Sequence, residues 1–121
     1  MEIINWIVSG LLSLAFIAGG LMKISQPKEK MESQMKWMED FSNLQIRGIG
    51  SLELIAALGV LFGRITENQL ITVISAAVLG ATMIGAALVH LRRGEQKEVV
   101  TNILLFALSI GAILFNSGNL L

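Results

Sequence analysis

The chain of 121 residues has no cysteine, one proline, one histidine and few charged residues, which make up 15% of it. Without cysteine it cannot form a disulfide framework, a thiolate zinc site or a cysteine-ligated iron–sulfur cluster. Nine basic side chains balance nine acidic ones, so no basic surface is left over for nucleic acid. Hydrophobic residues form 54% of the chain, which excludes intrinsic disorder. Its length is that of a single domain.

Charged residues are missing from three long runs, each long enough to cross a hydrocarbon core of about 30 Å: residues 3–22, 68–91 and 99–121. A fourth, shorter apolar run has Glu53 as its only charged residue. The first run lacks a basic start and a cleavage site, so we expect it to be retained. We predict an all-α fold, an integral membrane four-helix bundle that forms one domain over residues 1–121, with helices at about 3–22, 46–63, 69–91 and 99–116.

Basic residues are concentrated in two of the three connections. Eight of the nine lie between the first and second or the third and fourth helices, and only Arg64 lies between the second and third. Because basic residues favour cytoplasmic loops, we predict a multi-pass protein of a bacterial-type cytoplasmic (inner) membrane with both termini outside. Asn5, Trp6, Asn116 and Asn119 are then expected to be ordinary interfacial anchors on the outer side.

The longest connection, between the first two predicted helices, has an amphipathic pattern. At about 100° per residue, its apolar side chains fall on one half of a helical wheel and its charged side chains on the other. We predict an interfacial helix over about residues 27–42. It is either a spacer on the membrane surface or a lid in which Met35, Trp37 and Met38 cover a ligand cavity, since methionine adapts to varied apolar shapes.

Small residues recur at four-residue spacing on all four predicted membrane helices. Such spacing lets helices approach closely in lipid, where no hydrophobic force drives their association. We expect a compact antiparallel bundle, and leave open whether one face serves a homo-oligomer or a larger membrane complex. The positions are Ala15 and Gly19, Gly59 and Gly63, Ala77, Ala81 and Gly85, and Ala107 and Gly111.

Glu53 is the one acidic residue inside a predicted membrane helix. A carboxylate there costs several kcal/mol unless it is paired, protonated or hydrated. Arg47 lies six residues earlier on the same helix, about 240° around its axis, so a partner must come from another helix. The predicted topology brings Lys23, His90 and Asn102 to the same end of the bundle.

We therefore predict a polar cluster of Lys23, Arg47, Glu53, His90 and Asn102. Glu53 is expected to contact Lys23, His90 or Asn102, and Arg47 to close the cluster at the cytoplasmic edge. The cluster is either a binding site for a ligand or a buried ion pair that only fixes helix register. No catalytic residue, metal site or intrinsic cofactor is predicted.

Four short motifs are spaced along nearly the whole chain: AGGLMK at residues 18–23, RGIGSLE at 47–53, ALG at 57–59 and ALVHLR at 87–92. In this order they resemble the DoxX-like family of small four-helix membrane proteins. The family's polar positions fall on Lys23, Arg47, Glu53 and His90. The family takes its name from a protein associated with thiosulfate and quinone chemistry, and members are often labelled oxidoreductases, so a quinone ligand is implied by this resemblance alone.

Three classes of function remain for the chain. The first is a protein that binds a small lipophilic, quinone-like ligand or serves as accessory subunit of a membrane redox complex. The second is an assembly or scaffold factor for membrane proteins. The third, a small proton-coupled multidrug-type transporter, is disfavoured because the eight-to-one distribution of basic residues fixes one orientation. We expect no autonomous enzyme.

Overall fold

The computed structural model describes residues 2–118, without the side chain of Gln34. It contains four long helices, each long and apolar enough to cross a membrane, and two short ones. This confirms the predicted all-α four-helix fold, with helix ends up to three residues from the predicted bounds. The elements are α1 (Glu2–Ser25), α2 (Lys28–Gln34), a 3₁₀ helix (Lys36–Asp40), α3 (Asn43–Ile65), α4 (Gln69–Arg93) and α5 (Gln96–Phe115).

Local sequence signals set the ends of α3 and α4. Ser42 and Gln45 form a capping box, in which each side chain accepts a hydrogen bond from the other residue's backbone N–H. Asn68 caps α4 by accepting from the backbone N–H of Ile71. Helix α4 ends at Arg93 and is followed by Gly94, whose φ of 74° is left-handed and therefore favours glycine. The short turns between α3 and α4 and between α4 and α5 make these neighbouring helices antiparallel.

The four long helices form a ring in which α1 and α4 lie diagonally opposite, each packed against both α3 and α5. The buried core contains Leu12, Phe16, Val60 and Leu79. Large apolar side chains also cover the outside of the ring, for example Ile55, which is 68% exposed. A continuous apolar outer surface is typical of a protein that is solvated by lipid.

The two ends of the bundle carry different sets of charged side chains. Arg93 at the end of α4 binds Glu39 and Asp40 of the 3₁₀ helix, so the connections that carry the basic residues meet at one end. At the other end Glu2 of α1 pairs with Arg64 of α3, close to the start and the end of the described chain. We call these the basic end and the terminal end.

The connection between α1 and α3 departs from the predicted single helix over residues 27–42. It is broken at Met35, whose φ of −130° and ψ of 89° lie outside the helical region. A helix of this length has little stability of its own, so tertiary contacts decide its shape. The break allows Met31 and Met38 to be buried together against Ile46. Both short helices are thereby anchored to the basic end.

Of the nine small residues predicted to mediate helix contacts, three lie against a neighbouring helix. An added Cβ at Gly59 or Gly63 of α3 would overlap the hydroxyl oxygen of Ser75 or Thr72 on α4, and one at Gly111 of α5 would lie 3.3 Å from Val8 of α1. An added Cβ at Gly19 would have only Lys23 of its own helix within 4 Å. Within this bundle the prediction is wrong for five others, which are exposed because other positions of their helices, such as Ala76 and Gly80 of α4, face the interior. These are Ala15, Ala77, Ala81, Gly85 and Ala107.

A contact that the spacing pattern missed brings α1 close to α3. A Cβ on Gly20 would lie 2.8 Å from the carbonyl oxygen of Gly50, and a Cβ on Gly50 would lie 2.6 Å from the Cβ of Lys23. Real Cβ atoms essentially never come this close to other atoms, so a larger residue would force the helices apart. The two glycines thus place Lys23 directly against α3.

We expect Gly50→Ala to lower the free energy of unfolding by about 1–3 kcal/mol, because overpacking displaces α1 from α3. Unfolding of the purified protein in detergent measures the change. The matched control is Gly48→Ala on the same helix, where an added Cβ has no atom within 4 Å. Equal stability of the two variants would contradict the close packing described above.

Candidate functional site

Lys23 and Glu53 form an ion pair inside the basic end of the bundle. The Lys23 Nζ atom donates to Glu53 Oε1 at 2.7 Å, and the two side chains are 12% and 4% exposed. The predicted contact of Glu53 with a residue of another helix is therefore present. Burial removes both charges from water, so each depends on the other for stabilisation.

Arg47 supports this pair from outside it. Its guanidinium Nη1 donates to the backbone carbonyl oxygen of Lys23. That carbonyl lies in the last turn of α1, where helix carbonyls lack a partner within the helix. Arg47 therefore ties the start of α3 to the end of α1, but it lines neither of the two cavities described below.

His90 is buried beside the ion pair, near the end of α4. Its Nδ1 atom lies 2.8 Å from Glu95 Oε1, and the ring of Trp37 meets the imidazole at an edge, with 6.0 Å between ring centroids. The hydrogen bond from His90 is the main cause that lowers the pKa of Glu95. Because an ionised carboxylate only accepts, Nδ1 of His90 donates in this contact.

Asn102 of α5 completes the set of predicted polar residues. It is 8% exposed, and its Nδ2 atom donates to the sulfur of Met83 at 3.5 Å. Its Oδ1 atom has no hydrogen-bond partner among residues 2–118. A buried amide oxygen without a partner is unfavourable and calls for an explanation, such as a bound molecule.

Two cavities meet at this cluster. The first, the apolar cavity, has a volume of about 310 Å³ and opens between α3 and α4, where it is lined by the exposed residues Leu52 and Gly85. The second, the polar cavity, has a volume of about 470 Å³ and reaches the exposed Lys36 and Glu98 at the basic end. Six residues line both cavities, namely Lys23, Trp37, Glu53, Met83, Ala86 and His90.

The predicted lid residues have different positions. Trp37 lines both cavities and Met35 lines the polar one. Met38 lines neither, because it is fully buried in the small apolar cluster beneath the 3₁₀ helix. Of the predicted polar residues, Lys23, Glu53 and His90 line both cavities and Asn102 lines the polar one.

Glu95 is a residue of this site that the sequence analysis missed. It lies in the turn after α4, and besides His90 it accepts a hydrogen bond from Arg93 Nε at 3.2 Å. Arg93 in turn binds Glu39 and Asp40, so the 3₁₀ helix is linked to His90 through charged side chains. The sequence signal for this contact was Gly94, because a glycine directly after a helix predicts a turn. In the structure this turn brings Glu95 back towards His90.

A second buried polar cluster lies at the terminal end. Asn5 and Asn116 exchange side-chain hydrogen bonds of 3.0 Å, and Arg64 donates to Asn116 Oδ1 at 3.1 Å. The Arg64 guanidinium also lies over the ring of Trp6 and pairs with Glu2. The prediction of ordinary interfacial anchors is therefore wrong for Asn5 and Asn116, because three helix ends close over them. Asn119 lies outside the described residues.

Four lipid-solvated helices around a polar cluster at one end define a multi-pass membrane protein. A model of the DoxX-like family matches residues 7–112, and the chain belongs to this family. No curated protein and no solved structure showed significant similarity to the chain. The resemblance found in the short sequence motifs is thus confirmed over most of the chain.

We expect Lys23→Met and Glu53→Gln each to cost about 3 kcal/mol of unfolding free energy, because each leaves a buried charge or polar partner unpaired. The double variant should be less destabilised than the sum of the two, which a double-mutant cycle in detergent measures.

The control cycle uses Lys28→Met and Glu32→Gln. Lys28 and Glu32 form an ion pair of 3.3 Å on the surface of α2. This pair should contribute at most about 0.5 kcal/mol. Additive effects at Lys23 and Glu53 would show that the two charges do not depend on each other.

Proposed function

We propose that this protein binds a small amphiphilic molecule from the bilayer, with the apolar tail in the apolar cavity and the polar head at the cluster of Lys23, Glu53 and His90. The observation that carries the proposal is that an almost wholly apolar cavity and a second cavity with more polar walls meet at these three side chains. Ligand sites of this kind are mostly apolar with a few convergent polar groups that fix orientation.

The apolar cavity supports entry of the tail from lipid. It opens on the outer surface of the ring between α3 and α4, where Ile49, Leu52 and Val89 contribute apolar walls. A molecule dissolved in the bilayer reaches such an opening without passing through water. A protein that takes its ligand from lipid needs no soluble entrance for the tail.

The polar cavity supports binding of the head. His90, Glu53 and Asn102 come from three different helices and line this cavity, and Asn102 contributes a buried Oδ1 atom that has no hydrogen-bond partner among residues 2–118. A head group with hydrogen-bonding atoms would satisfy this oxygen. Trp37, which lines both cavities, lies where it can cover the head.

We further propose that the protein resides in a cytoplasmic membrane with the basic end in the cytoplasm and both termini outside. Eight of the nine Lys and Arg side chains lie at the basic end, in the connection between α1 and α3 or in the flanking ends of the four long helices. The buried Arg64, the remaining basic residue, is already neutralised by Glu2. The quinone implied by family resemblance is one amphiphile with an apolar tail and a polar head, and its reduced form carries two hydroxyl donors. The alternative roles, accessory subunit or assembly factor, are tested by the mass spectrometry experiment described next.

The first experiment is native mass spectrometry of the protein extracted gently from its own membrane. We expect a copurifying small molecule that is lost in Ala86→Trp, because an indole at this position fills the junction of the two cavities. The matched control is Ala81→Trp, an exposed position on the same helix that lines neither cavity. An adduct that survives in Ala86→Trp, or a bound protein subunit without a small molecule, would refute ligand binding at this junction.

The orientation is testable because the chain contains no native cysteine. A single cysteine at Thr66, an exposed residue at the terminal end, should react with a membrane-impermeant maleimide in intact cells. A single cysteine at Glu29, exposed on α2, should react only after the cells are opened. The reverse pattern would overturn the proposed orientation.

A further inference from the structure

We infer that the head group of the bound amphiphile is a hydrogen-bond donor that is neutral or cationic, an alcohol or a protonated amine, and not an anion. This inference rests on the proposed function, since it concerns the chemistry of the same cavity. It is supported by the charge of the residues that line the polar cavity and by the hydrogen-bond acceptors of two of them, Glu53 and Asn102.

Carboxylates outnumber ammonium groups in the walls of the polar cavity. Lys23 and Lys36 face it together with Glu53, Glu95 and Glu98. A cavity with this balance repels a carboxylate or phosphate head and favours a neutral or cationic one.

The nearest further cation does not reverse this balance. Arg93 lies beside Glu95, but it also binds Glu39 and Asp40, so its charge is shared among three carboxylates. Lys23 is likewise engaged, because its ammonium is paired with Glu53 at 2.7 Å. An anionic head could bind Lys23 only in competition with a buried carboxylate that would then lose its partner.

The acceptors that this cavity offers are a carboxylate and an amide oxygen. Glu53 uses Oε1 for Lys23, and an ionised carboxylate can accept through either oxygen. Asn102 adds Oδ1, a buried atom with no hydrogen-bond partner among residues 2–118. A donor on the ligand would satisfy these atoms, whereas an ether or carbonyl oxygen would not.

Asn102 is the more informative of these two acceptors. Its amide oxygen is buried and unpaired, and its side chain already contacts the flexible thioether of Met83, which lines both cavities. Methionine moves at low cost, so a ligand donor can take its place beside the amide. The Asn102 oxygen thus distinguishes an alcohol from the corresponding ether.

The test uses four bromine-tipped dodecyl compounds that differ only in the head: an alcohol, a primary amine, a methyl ether and a carboxylic acid in its ionised form. The full chain carries Trp6→Phe, so that Trp37 beside both cavities is its one tryptophan. Quenching of Trp37 by bromine is measured in phosphatidylcholine nanodiscs, with and without competing unbrominated compound. The reciprocal Trp37→Phe protein, which reports from Trp6 at the terminal end, corrects for quenching by compound dissolved in lipid.

We expect saturable, competable quenching by the alcohol and the amine, at concentrations about tenfold lower than for the ether or the carboxylate, as one additional hydrogen bond to a buried acceptor allows. Asn102→Leu should reduce the alcohol-to-ether ratio to about twofold or less. Asn102→Asp retains an acceptor oxygen and should keep the ratio. Asn43→Leu, at an exposed asparagine outside both cavities, controls for the loss of an amide.

The possible failures are distinguishable. Saturable binding in which the ether equals the alcohol, or in which the carboxylate binds best, would overturn the inference about the head and leave the proposed function standing. A preference for the alcohol that is unchanged in Asn102→Leu would also overturn it. Absence of saturable quenching by all four compounds would overturn the proposed function and this inference with it.

Discussion

The buried ion pair of Lys23 and Glu53 is the constraint on which the basic end of this protein depends. Two charges in a lipid-solvated bundle persist only if their helices are held together, and here Gly20 and Gly50 allow that contact. Arg47 adds a hydrogen bond to the end of α1. Lys23 and Glu53 also line both cavities, so the interaction that holds α1 against α3 forms part of the cavity walls as well.

The rest of the site is arranged around this ion pair. His90 lies on α4, diagonally opposite α1. Its ring contacts Glu95, in the turn after α4, and Trp37, in the connection between α1 and α3. Since that connection is also tied to α4 through Arg93, its position is coupled to the ring of His90. A protein with so few polar residues thus concentrates most of them at one end of the bundle, where they serve both packing and the proposed recognition.

The terminal end shows how a similar network can be structural. Asn5, Arg64 and Asn116 bond one another, and none of the three lines either cavity described above. At the basic end the corresponding polar residues line two cavities instead. The open volume beside the ion pair and the unpaired amide oxygen of Asn102, and not burial or charge as such, separate the candidate site from a purely structural helix contact.

The sequence by itself determined the membrane class, the four helices and the pairing of Glu53 across helices. This was possible because long uncharged runs have few alternatives in lipid, and because a lone carboxylate in such a run needs one of very few partners at its depth. Tertiary structure alone decided the break at Met35, the role of Glu95, the outward direction of Ala77 and Ala81, and the burial of Asn5 with Asn116. Each of these depends on which helix faces lie opposite one another, and helical periodicity does not encode that information.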